Sequence, residues 1–355
     1  MKITDPNLGI VAYGAVLPAH QVSTAIIAQS QGKGMQIAKS LGVRAKTMPS
    51  SDEDTITLAT MAGHMALERF LMAGGDKQNI DGLFIGSESH PYAVKPSGTV
   101  VKEALHLSDS ISMADLQFAC KAGSQALQIA AAYVCSNMAQ AMMAIGADTA
   151  QARPNDALEY TAAAGAAAFI LSHQPNVLAK LIATTSVASD TPDFWRKPYE
   201  AYPQHFGRFT GEPAYFKHVM MATRAVLKET GMTPSDFDYC VFHTPNAKFP
   251  QQVAKRLGFT SEQLEPSLVV RDIGNTYAAA SLLALTAVLD VAQAGQKILL
   301  CSYGSGAGAD AFIFETTEDL PKQRQNWSSL LTASIDNLED IDLATYQHMR
   351  SQNAH

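Results

Sequence analysis

Short apolar runs alternate with small-residue helical stretches along this chain, and the alternation occurs twice. In the first half, Asp81-Gly-Leu-Phe-Ile-Gly predicts a strand, Asp115 to Ala119 an extended segment and Ser124 to Ser136 a helix. The strand Ala141-Met-Met-Ala-Ile-Gly-Ala-Asp148 and the hairpin-like run Ala164 to Leu171 follow. The second half repeats the order with a strand at Asp238 to His243, a junction at Asp272-Ile-Gly-Asn-Thr and a helix from Ala278 to Ala294. It ends on a strand from Lys297 to Tyr303, a glycine turn and a last strand reaching Phe314. Continuous apolar runs predict strands buried on both faces, in largely parallel sheets. Two such halves predict layered α/β units with helices between the sheets. Helices rich in Ala, Gly and Ser fit that place, because a sandwiched helix must be thin.

The duplication divides the chain. Residues 1–184 form a first half with Glu88 and Cys120, and residues 221–318 a second half with His243 and Asn275. Between them, residues 185–220 are dense in aromatics, proline and charge, which predicts an inserted loop region lining a substrate channel. The polar tail, 319–355, is either a docking segment, through Trp327, Tyr346 and Arg350, or an end packed on its own subunit.

Composition narrows the function. With 355 residues, 47% of them hydrophobic and 17% charged, the chain reads as a well-buried globular enzyme. A net charge of −7 argues against a nucleic-acid partner. The apolar runs are too short to span a bilayer, and the N-terminus lacks an apolar signal region. Cys120, Cys135, Cys240 and Cys301 form no Cys-x-x-Cys pair, so neither a metal site nor a redox disulfide is expected and a cytoplasmic setting is. Gly304 to Gly308 is no phosphate loop, because no Gly-Lys-Ser/Thr follows.

Cys120 carries the most information. It lies where an extended run gives way to a helix, and a helix N-terminus favours thiolate, the nucleophilic form. Otherwise a free cysteine is a small core residue, the reading given to the other three. Glu88 follows a buried strand directly, where desolvation raises a carboxyl pKa and makes it a better base for a carbon acid. His243 ends the matching strand, where ligands gather in α/β folds. The duplication gives Cys120 and Asn275 equivalent places.

Several stretches resemble the thiolase superfamily and, within it, 3-hydroxy-3-methylglutaryl-CoA synthase of the archaeal type. They are Gly86-Ser-Glu-Ser-His-Pro-Tyr, Phe118-Ala-Cys-Lys-Ala-Gly, Thr191-Pro-Asp-Phe-Trp-Arg, Gly207-Arg-Phe-Thr-Gly-Glu-Pro-Ala-Tyr-Phe, the His243 to Pro250 run, Gly274-Asn-Thr-Tyr and Tyr303-Gly-Ser-Gly. The resemblance implies a thiolase-like duplicated α-β-α-β-α fold with two pseudo-twofold-related halves. It implies that Cys120 accepts acetyl from acetyl-CoA and that Glu88 removes a methyl proton to give an enolate. His243 then positions the ketone of acetoacetyl-CoA. Asn275 and Ser305 hold substrate oxygens, Lys248 faces the CoA phosphates, and Thr210 and His205 belong to the substrate-binding set. No cofactor is implied beyond the CoA thioesters.

The expected assembly is a homodimer, with an acetoacetyl-CoA thiolase and a small oligonucleotide/oligosaccharide-binding-fold bridging protein as further partners. Gln252 stands where relatives carry a second lysine, four after the first. The competing readings are a phloroglucinol acetyltransferase-like enzyme and a non-catalytic scaffold of a thiolase complex. Retention of Glu88, Cys120 and His243 together favours the synthase.

Overall fold

The computed structural model describes residues 3, 5, 7–149, 152–173, 176–197, 199–206, 210–306 and 308–352. Gly207, Arg208 and Phe209 of the motif quoted above, together with Pro198, Ala307 and the last three residues of the tail, lie outside the described residues.

The strands are β1 (Gly9–Val16), β2 (His20–Ser23), β3 (Ala45–Met48), β4 (Ile80–Gly86), β5 (Ser112–Leu116), β6 (Ala141–Asp148), β7 (Gly165–Ser172) and β8 (Ala179–Ala188). Then come the short β9 (Phe194–Trp195) and β10 (Gln204–His205), followed by β11 (Tyr239–Phe242), β12 (Lys297–Cys301), β13 (Gly308–Thr316) and β14 (Glu339–Asp340). The helices that matter here are α1 (Thr55–Met72), α2 (Ser97–Ala104), α3 (Ala122–Cys135), α4 (Phe216–Thr230), α5 (Lys248–Leu257), α6 (Ala280–Leu289) and α7 (Leu343–Gln352).

Nine strands join in the order β11-β12-β13-β8-β1-β7-β6-β4-β5. The duplication is visible in the pairing. From β1, the partners β7, β6 and β4 follow antiparallel, antiparallel and parallel. From β8, the partners β13, β12 and β11 follow in the same sense. The two halves meet through a two-residue contact of β1 with β8, Gly9 opposite Lys180 and Ile10 opposite Ala179. The expected separate sheets are therefore joined at one edge, and β8 runs through the 184/185 boundary.

The expectation of largely parallel sheets fails. Only β4/β5, β4/β6 and β11/β12 among these pairs are parallel. Apolar continuity reports burial on both faces, and it carries no information on strand direction when sheets are covered by layers.

Layering follows from strand alternation. Phe312, Phe314, Ile298 and Leu300 share one apolar cluster with Phe84, Phe169, Leu171, α3 and α6. Their strand neighbours Ala311, Ile313, Leu299 and Cys301 turn to α4 and Val253 of α5 instead. Leu83, Ile85, Met143 and Ile170 turn to α1 and Val101 of α2. The order across the molecule is α-β-α-β-α. α3 and α6 lie in the middle, and close approach is enforced: a Cβ on Gly123 would come 2.4 Å from the Ala278 carbonyl oxygen. The predicted helix from Ala278 is shorter than expected. A single 3-10 turn, Tyr277–Ala279, leads into α6.

The tail packs on its own chain. Trp327 meets Tyr13 edge-on at 4.9 Å and lies under the Arg69 guanidinium at 4.1 Å. Tyr346 is buried, and β14 adds in parallel to β2. Among the described residues no helix is long and apolar enough to cross a membrane.

Candidate active site

Glu88 is placed by the end of β4. A Cβ on Gly86 would fall 2.1 Å from the Ala122 carbonyl carbon, so only glycine lets this strand end reach the start of α3. Asp148, at the end of β6 and fully buried, holds the loop that follows. Its Oδ1 accepts from the Ser87 hydroxyl at 2.7 Å, the Glu88 N–H at 2.8 Å and the Ser89 hydroxyl at 2.7 Å. Its Oδ2 accepts from the Ala278 N–H at 2.7 Å, which ties the Glu88 loop to the entry of the central helix α6.

The Glu88 Oε1 is enclosed without a nitrogen or oxygen hydrogen-bond partner. Its carboxyl interacts with the Cys120 thiol. Burial first, and the Asp148 charge second, push the Glu88 pKa up to about 8, while Cys120 and Arg196 pull it down. A carboxyl poised there is a base matched to neutral-pH proton abstraction.

Cys120 follows Ala119, which takes a left-handed φ of 45°. Such strain turns the chain sharply between β5 and α3 and persists only where neighbours hold it. Here the Lys121 and Ala122 N–H groups donate back to Phe118 and Ala119 carbonyls at 3.2 and 3.0 Å.

The expected thiolate is not the resting form. Burial, the Glu88 charge and its hydrogen bond, and Asp148 hold the Cys120 thiol well above its usual pKa. The dipole argument fails because burial and the neighbouring acids Glu88 and Asp148 outweigh a helix that starts two residues later, at Ala122. The adjacent Lys121 gives no relief. Its ammonium is buried on Asp310 at 3.0 Å and Gln125 at 2.6 Å, over the Phe118 ring.

His243 leaves β11 with its N–H donating to the Cys301 carbonyl at 2.9 Å, and its own carbonyl accepts from the Tyr215 hydroxyl at 2.7 Å. The ring lies 6.4 Å from that of Tyr215 and 6.2 Å from that of Tyr303. Burial pushes its pKa down to about 3, so the imidazole is neutral at working pH, and its Nδ1 is enclosed without a partner. Tyr303 also interacts electrostatically with Cys120.

Asn275 is fixed by its backbone. Its N–H donates to the Thr161 carbonyl at 2.7 Å and its carbonyl accepts from Ala163 at 2.9 Å. Its Oδ1 accepts from the Tyr277 N–H at 3.0 Å, which leaves the side-chain amide as a donor. Ala162, bridged to Asn275, packs in one cluster with Cys120 and Tyr277.

Ser305 sits in the glycine turn and hydrogen-bonds Tyr303. Asp193, wholly buried, pins that turn: it accepts from the Tyr303 hydroxyl at 2.9 Å and the Gly306 N–H at 2.6 Å. The structure thus sets Glu88 against Cys120, brings Asn275 to the Cys120 cluster through Ala162, and puts both His243 and Ser305 beside Tyr303. Lys248 stands apart, exposed at the first turn of α5. His205 places its Nε2 at 3.1 Å from Asp156, and the Thr210 hydroxyl is enclosed without a partner.

A cavity of about 870 Å³ opens on the Glu88 side, lined by Glu88, Ala119, Tyr277, Trp195 and Arg196 among others. Arg196 donates to the Glu88 carbonyl at 3.1 Å. Asp148, Tyr277 and Asp193 are missing from the sequence-derived site. Asp148 had a signal, an acid closing an otherwise apolar strand, while Tyr277 and Asp193 sat unmarked inside recognised motifs.

A family model described as 3-oxoacyl-(acyl-carrier-protein) synthase III C terminal matches residues 227–316. A hydroxymethylglutaryl-CoA synthase of Archaeoglobus fulgidus is 48% identical over 348 residues, covering 97% of this chain and 98% of the relative. The enzyme of the same name from Methanopyrus kandleri is 45% identical over 351 residues, 99% of each chain. Among solved structures, MvaS in complex with 3-hydroxy-3-methylglutaryl coenzyme A superposes with a TM-score of 0.86 at 24% identity, over 97% of this chain and 91% of that one, a likeness of fold. On near-full-length identity to these archaeal enzymes, the chain belongs to the hydroxymethylglutaryl-CoA synthase family.

Proposed function

We infer that this chain condenses acetyl-CoA with acetoacetyl-CoA to give 3-hydroxy-3-methylglutaryl-CoA and CoA, through an acetyl-Cys120 intermediate. The observation that carries the reading is Glu88 held against the Cys120 thiol with its pKa near 8. Cys120 sulfur attacks the acetyl-CoA carbonyl and CoA leaves as the thiol. Because the resting thiol is protonated, its proton passes to a neighbour as the substrate binds. Glu88, in contact with the thiol, is the group for it. Ionised Glu88 then takes a proton from the acetyl methyl, and the enolate attacks the ketone of acetoacetyl-CoA. The alkoxide is protonated, and water cleaves the thioester to free the new carboxylate and Cys120. Neutral His243 serves as a hydrogen-bonding group for the ketone oxygen, and the Asn275 amide as a second donor. Lys248, exposed at the head of α5, suits a CoA phosphate. Mixing both thioesters with the protein and identifying the product by mass tests the reaction; acetoacetyl-CoA returned unchanged would remove it.

His243→Ala is expected to raise the KM for acetoacetyl-CoA more than that for acetyl-CoA, by about tenfold for one lost hydrogen bond in a buried site. Steady-state kinetics with each substrate varied checks it, and an unchanged acetoacetyl-CoA KM removes the role.

The working form is a cytoplasmic homodimer, and β5, at the sheet edge and half-exposed throughout, is the strand that supports pairing with a second copy. A thiolase and a bridging protein of oligonucleotide/oligosaccharide-binding fold remain proposed partners, supported by Gln252 in place of a second lysine. In the tail, Trp327 packs on Tyr13, and Tyr346 and Arg350 donate to Glu159 of the same chain.

A further inference from the structure

We propose that Glu159 is a positioning residue: by clasping the C-terminal helix α7 against Lys46 it fixes the turn that presents Asn275 to substrate. The proposal rests on the reading of Asn275 as a substrate-holding residue.

Glu159 is 1% exposed, and four groups donate to it. The Tyr346 hydroxyl at 2.6 Å and the Arg350 guanidinium at 2.5 Å reach Oε1 from α7. The Gln31 amide at 2.6 Å and the Asn155 N–H at 2.8 Å reach Oε2. Burial works against the carboxylate, yet these bonds outweigh it and keep the pKa below the usual glutamate value. A buried, fully bonded carboxylate is costly to assemble and rigid once assembled. Helix α7 supplies two of the four donors, while its Tyr346 and Met349 also pack with Val22, Ile27 and Met48.

The clasp continues to the active site by contact. Lys46, also 1% exposed, lies 5.7 Å under the Tyr346 ring. On its other side, a Cβ on Gly274 would fall 2.8 Å from the Lys46 Cβ and 2.7 Å from the Thr161 oxygen. Gly274 has a φ of +77°, so the turn into Asn275 is held by these two neighbours. Thr161 stands two residues after Glu159 and accepts the Asn275 N–H. On β3, Thr47, next to Lys46, donates to Ala164 at 2.5 Å and Ile273 at 3.3 Å. Both strands of support for Asn275, residues 161–164 and β3, therefore start at the clasp. A tail read from sequence as an end or a docking segment becomes part of the site's framework.

Three full-length variants test this: Arg350→Met, Tyr346→Phe, and Arg350→Lys as the conservative replacement. The readouts are amide hydrogen exchange of the peptide spanning 273–279 and the KM for acetoacetyl-CoA, in protein whose fold is verified by a cooperative melt. Arg350→Met is expected to speed exchange at the Asn275 amide about tenfold and to raise that KM by a similar factor, with partial recovery in Arg350→Lys. Faster exchange at 273–279 with an unchanged KM still supports the clasp and instead refutes the substrate role of Asn275. Folded variants in which exchange quickens across α7 but not at 273–279 overturn the proposal.

Discussion

Cys120→Ala is expected to abolish product formation and the covalent acetyl-enzyme, with rates lower by roughly 10⁴-fold or more, as for other nucleophile deletions. The fold should be unaffected. The side chain is 5% exposed, alanine matches it but for one sulfur, and the left-handed strain sits on Ala119 rather than on Cys120. Removing a thiol whose proton is held tightly beside Glu88 also relieves the site of one acid. Cys240 and Cys301 cannot substitute: burial holds the first well above its usual value and pushes the second up to about 12. Intact-protein mass after incubation with acetyl-CoA is the measurement. A full acetyl adduct on the variant would make another residue the nucleophile.

The strands that carry Glu88 and His243, β4 and β11, were legible because burial on both faces writes itself as continuous apolar sequence, whereas β5, which leads to Cys120, is a half-exposed edge strand found by its motif. The duplication was legible for the same reason, since β11 repeats β4 in pattern and in its parallel neighbour. Strand direction left no such trace, and most of the pairs proved antiparallel. Chemistry at the ends of strands was legible by type and by motif, not by state. The Cys120 thiol was expected ionised from its position along the chain, but its state is decided first by burial and then by two acids, Glu88 and Asp148. These lie 32 residues before it and 28 after it, and only the folded sheet brings them to it. The tail was the least legible region. Its polar anchors include Glu159 for α7 and Asp290 for the Leu331 N–H, and a polar sequence does not reveal which of its residues find buried partners.

Glu88→Ala is expected to separate the two halves of the reaction. Condensation should fall by roughly 10²–10⁴-fold, the usual cost of losing a general base. Acetylation should persist, because it requires no carbon acid and loss of Glu88 leaves the thiol easier to ionise. The variant should also make Cys120 more acidic. In the native site the Glu88 charge and hydrogen bond both raise the thiol pKa, so their removal lowers it. The rate of Cys120 alkylation by iodoacetamide should then rise at a lower pH than in the native protein. In the native enzyme, condensation from preformed acetyl-enzyme should increase with pH as Glu88 ionises, through a midpoint near 8, and that dependence should vanish in Glu88→Ala. Rapid-quench measurement of acetyl-enzyme formation and decay at several pH values separates the steps. An equal loss in both, with the alkylation profile unmoved, would make Glu88 a structural residue of the β4 loop rather than the base.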